Sequence, residues 1–102
     1  MQQVKAVYIN KEEINKFLEY ISNDSELSDM INFIYYDGLK LQEALIKIGN
    51  LFSWRYYEKK LKELSNGKIR FMDLRYSYFI NNPEVWYEIT IRKNKVYNLS
   101  KN

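Results

Sequence analysis

The chain has 102 residues and a mass of 12.5 kDa, 46% hydrophobic and 28% charged, which suits one folded domain over residues 1–102 rather than a disordered segment. Sixteen basic and thirteen acidic groups leave a formal charge of +3. Cys and His are both absent, which excludes disulfides, Cys/His zinc sites, thiol nucleophiles and imidazole acid–base chemistry; no metal site or cofactor is expected.

Residues 3–9, QVKAVYI, alternate weakly and read as a short strand. Asn10 follows as a helix N-cap with Glu13 three positions on, and Ile14, Phe17, Leu18 and Ile21 repeat at helical spacing. A second helix starts at Asp24 or Ser25, carries Leu27, Met30, Ile31 and Ile34 on one face, and stops at Asp37-Gly38. The third runs from about residue 39 to 48 with Leu41, Ala44, Leu45 and Ile48 inward, and Gly49-Asn50 ends it. Leu51 and Phe52 read as core contacts in the turn. Ser53 caps a fourth helix whose inward positions are Trp54, Tyr57, Leu61 and Leu64, closed by Asn66-Gly67.

After Gly67 the apolar period shifts to two. In KIRFMDLRYSYFI, residues 68–80, Met72, Leu74, Tyr76, Tyr78 and Ile80 alternate with Asp73, Arg75 and Ser77. EVWYEITIR at 84–92 alternates again, turns through Lys93-Asn94 and returns as KVYNL, a hairpin pattern. The fold class expected is α+β, four N-terminal helices followed by an antiparallel sheet, with residues 3–9 pairing within that sheet or between subunits.

No apolar run approaches the ~18–20 residues that span a bilayer, and the N-terminus lacks an apolar leader, so no membrane partner is expected and a cytoplasmic location is the default. Charge is unevenly divided. Residues 1–50 hold five basic and eight acidic groups; residues 51–102 hold eleven basic and five acidic ones. The basic groups gather on the fourth helix, at Arg55, Lys59, Lys60 and Lys62, and at the hairpin tip, at Arg92, Lys93 and Lys95. Arg55, Lys59 and Lys62 fall at i, i+4 and i+7 on one face, flanked by Tyr56 and Lys60, opposite the apolar set. A helix with an apolar back and a basic front is laid out to meet phosphates and base edges in a major groove; the same layout also serves as an ordinary solvated helix face.

In the order of its elements, LKLQEALIKI, the turn GNLF, SWRYYEKKLKEL and the hairpin VWYEITIRKNKVYNL, the stretch 39–99 resembles a winged-helix DNA-binding domain. The resemblance implies duplex DNA as partner and a regulatory role. Arg55 and Tyr56 would face base edges, Lys59, Lys60 and Lys62 phosphates, and Arg92, Lys93 and Lys95 the neighbouring backbone or minor groove. A homodimer is expected on separate grounds: 17% of the residues are aromatic, the strand at 3–9 lacks an obvious neighbour, and exposed edges and apolar patches are commonly covered by symmetric pairing.

Two other classes stand beside this one. A small protein-binding inhibitor or accessory factor, of the kind viral, phage and plasmid genomes encode, fits the ten Tyr residues, with Tyr35, Tyr36, Tyr56, Tyr57, Tyr76, Tyr78 and Trp86 as anchors. Its acidic set, Glu12, Glu13, Glu19, Asp24, Glu26 and Asp29, would face a basic groove. An enzyme would have to work with Arg70, Arg75, Tyr76, Tyr78 and Glu88, and no motif ties these into acid, base and anion-binding roles, so no enzyme is expected.

Overall fold

The computed structural model describes residues 5–49 and 52–85. Among these residues five helices of seven residues or more follow one another: α1 (Lys11–Tyr20), α2 (Ser25–Tyr35), α3 (Leu41–Lys47), α4 (Trp54–Leu64) and α5 (Phe71–Asn81). Four of the five starts are written in side-chain hydrogen bonds, whereas Ser53, the N-cap of α4, makes none to its helix. The Asn10 side chain accepts the Glu13 N–H at 2.8 Å, and Asp24 accepts the Leu27 N–H at 3.2 Å. At α3 and α5 the reach is backward, with Glu43 accepting the Lys40 N–H and Asp73 the Arg70 N–H. The end of α4 is a turn through Asn66 and Gly67, both at positive φ, in which the Gly67 N–H returns to the Lys62 carbonyl at 2.8 Å.

The core is assembled around α2. Leu27, Met30, Ile31, Ile34 and Tyr35 are all buried, and α2 packs on α5 and α3, with α3 in turn against α4. Ile14 and Phe17 from α1 with Ile21 just past its end, Ala44 and Leu45 from α3, Tyr57 and Leu61 from α4, Phe71 and Leu74 from α5, and Ile9 and Ile69 from the connecting segments complete one cluster.

The expectation of an α+β fold with an antiparallel sheet is overturned: the described residues contain no strand. The run 71–81 is helix α5, because its alternating apolar residues separate into two helical rows. Met72, Tyr76 and Ile80 are four apart and exposed, whereas Leu74 and Tyr78 are four apart and turned inward. The winged-helix likeness falls with the sheet. Residues 83–85, including the first two of EVWYEITIR, are helical, and the rest of the expected hairpin lies outside the described residues.

The strand expected at residues 3–9 is not formed over 5–9, the part within the described residues, and the neighbour of that segment is a helix. The Val7 N–H donates to Asp73 Oδ1 and the Ile9 N–H to Ser77 Oγ, both at 2.8 Å, while the Lys5 carbonyl accepts from Arg70 Nη2 at 2.7 Å. The Tyr35 hydroxyl closes the arrangement by donating to the Ile9 carbonyl at 2.7 Å. The spacings match. Groups two residues apart on an extended chain lie about 6.6 Å apart, and side chains four apart on a helix are offset by about 6 Å. One face of α5 therefore does the work of a neighbouring strand, and the buried Asp73 and Ser77 owe their burial to it.

Candidate nucleic-acid interface

Helix α4 is fixed to the body by its apolar back and by two polar ties to the start of α2. Tyr57 and Leu61 are buried in the core. The Tyr57 hydroxyl donates to Glu26 Oε2 at 2.5 Å, and the Lys60 ammonium is paired with Asp24 Oδ2. Burial pushes the Tyr57 phenol well above its ordinary value, and the Glu26 hydrogen bond and charge push the same way. The hydrogen bond to Asp24 raises Lys60 against the opposing effect of desolvation.

This tie reassigns one expected contact. Lys60 points back to α2 with a side chain only one-third exposed, whereas Arg55, Lys59 and Lys62 stand in the open on the outer face. No carboxylate among the described residues forms an ion pair with any of those three. Glu58 and Glu63, both exposed, border the row on either side: Glu58 lies three residues past Arg55 and Glu63 four past Lys59. Arg92, Lys93 and Lys95 lie outside the described residues.

The head of α4 adds exposed aromatic side chains, of which Phe52 and Trp54 were expected in the core and only Tyr56 on the outer face. Phe52 is 48% exposed, Tyr56 42% and Trp54 37%. The Phe52 and Tyr56 rings stack with centroids 4.4 Å apart and planes 26° from parallel. Tyr57 supports both edge-on, at 5.1 Å from Tyr56 and 6.2 Å from Phe52. The Arg55 guanidinium lies 5.3 Å from the Trp54 ring centre, and Lys60 lies 5.4 Å from that of Tyr56. The position of Phe52 four residues before Tyr56 was the available signal, obscured because Phe52 precedes the helix.

Other polar clusters are structural. Arg70 donates to Asp73 through Nε and Nη2 and holds the N-terminal segment, and Arg75 donates to the Gly38 carbonyl at 2.7 Å. Among the described residues no group of three or more acidic side chains could hold a metal ion, and no helix is long and apolar enough to cross a membrane. No protein-family model, curated protein or solved structure matches this chain.

Proposed function

We propose that the protein binds nucleic acid through the outer face of α4, with Arg55, Lys59 and Lys62 on backbone phosphates and Tyr56 beside the bases. One observation carries the reading: three cations without ion-pair partners among the described residues form a single row on a helix whose opposite side is locked into the core. The fourth cation, Lys60, belongs to the anchoring side.

The test is a titration of fluorescently labelled oligonucleotides across a range of salt. Each phosphate contact contributes about 0.7–0.9 to the slope of log affinity against log salt. Arg55→Glu, Lys59→Glu and Lys62→Glu should each flatten the slope, whereas Lys60→Gln should leave it unchanged. Absence of binding at low salt, or a slope indifferent to all three reversals, overturns the proposal.

A second reading, a protein-binding surface, is favoured by α5. Met72, Tyr76 and Ile80 expose 44%, 41% and 49% of their surface in one row, beside a cavity of about 320 Å³ lined by Tyr76, Phe79, Ile80 and Pro83. Such a row is suited to covering by an apolar partner face, and a second copy of this chain supplies one.

A further inference from the structure

Resting on the reading of α4 as a nucleic-acid interface, we infer that its partner is a single strand rather than a duplex, with unstacked bases laid on the Phe52–Tyr56 cluster and the backbone following Arg55, Lys59 and Lys62.

The aromatic rings decide the form of the partner. In a duplex the bases stack on one another and offer only their edges, to which hydrogen-bonding side chains are suited. Flat aromatic side chains recognise flat faces, and base faces are accessible only where the strand is unpaired. Phe52 and Tyr56 are exposed together at one end of the cation row. Phe52 and Tyr56 are already stacked on each other and braced by Tyr57, which is hydrogen-bonded to Glu26. A surface ordered before binding loses little side-chain freedom when a base arrives.

The charges decide the width of the track. The cations form a row one residue wide, bordered by the exposed carboxylates of Glu58 and Glu63. One phosphate backbone can run along this row with carboxylates to either side. A second backbone alongside it, as in a duplex, would meet those carboxylates and be repelled. Successive cations four and three residues apart are offset along the helix by about 6 and 4.5 Å, so one extended strand can meet them in turn. Phosphates and base faces are common to DNA and RNA, so single strands of either kind should bind.

The experiment compares one mixed-sequence oligonucleotide, as single-stranded DNA and RNA, with the same DNA annealed to its complement, using the full chain. Both single strands should bind more tightly than the duplex. Phe52→Leu and Tyr56→Leu keep an apolar cover over Tyr57 while removing the ring. Each should weaken single-strand binding by about tenfold, equivalent to ~1.4 kcal/mol, with little effect on the duplex and an unchanged helical spectrum. Glu58→Gln with Glu63→Gln should raise duplex affinity relative to single strand. Equal affinity for single strand and duplex, or Leu variants that bind as wild type while the charge reversals still weaken binding, overturns this inference and leaves the broader reading standing. Failure of every oligonucleotide to bind overturns both.

Discussion

At the scale of single residues, the pair Tyr57–Glu26 joins stability to the candidate interface. Tyr57 is fully buried, and its hydroxyl donates to a carboxylate at 2.5 Å. Tyr57→Phe should cost about 1.5 kcal/mol at neutral pH, the lower part of the range for a hydrogen bond to a charged group, because Glu26 stays partly in contact with water. The same tyrosine sets an alkaline limit. Its folded-state pKa lies above the ordinary 10.0, chiefly through burial, and that of Tyr35 is raised by burial as well. A group whose pKa is raised on folding contributes its full stability below the unfolded value and loses it as pH climbs toward the folded one. Lys60, raised from 10.5 by its hydrogen bond to Asp24, acts with the same sign. Denaturant midpoints should therefore decline above pH 10, and the decline should be shallower in Tyr57→Phe.

At the scale of elements, α5 holds the N-terminal segment through side chains. Ser77 is fully buried and bridges the Ile9 N–H to the Asp73 carbonyl, to which its own hydroxyl donates at 2.7 Å. Ser77→Ala should cost about 1–3 kcal/mol, because the Ile9 N–H is left buried without an acceptor. Amide exchange at Ile9 should rise more than at the core of α2; equal protection in both proteins would show that the segment is held by other means. This face also explains which parts of the fold were legible in the sequence. In α2, Leu27, Met30, Ile31 and Ile34 are apolar and buried, so helical spacing reads directly. In α5 two inward positions are Asp73 and Ser77, polar because they serve an extended chain, and the outward row is apolar. With the usual pattern inverted over part of the helix, and Tyr, Phe and Ile suggesting β structure, the period of two was the stronger signal. The cation row of α4 was legible because it depends only on spacing within one helix. The loss of Lys60 to Asp24 was not, because that partner comes from a distant part of the chain.

At the scale of the whole molecule, the two exposed surfaces lie on separate helices, α4 for a charged ligand and α5 for an apolar one. If a second copy covers Met72, Tyr76 and Ile80, light scattering should give a dimer at high protein concentration, and Tyr76→Glu should return it to monomer without altering the helical spectrum. A monomer at every concentration removes self-association from the reading and leaves α4 unaffected. The arrangement around the N-terminus has a consequence for how the chain is made. Lys5, Val7 and Ile9 take their partners from Arg70, Asp73 and Ser77, separations of 65 to 68 residues. Residues 5–9 are synthesised before α5 and thus find these hydrogen-bond partners only after nearly all the described chain has followed. Capped helices such as α1 and α2 can begin to form while synthesis continues, but residues 5–9 dock only once α5 has been made. Any shortening of the message before Arg70 would leave residues 5–9 without these hydrogen-bond partners from α5, however well the intervening helices had formed.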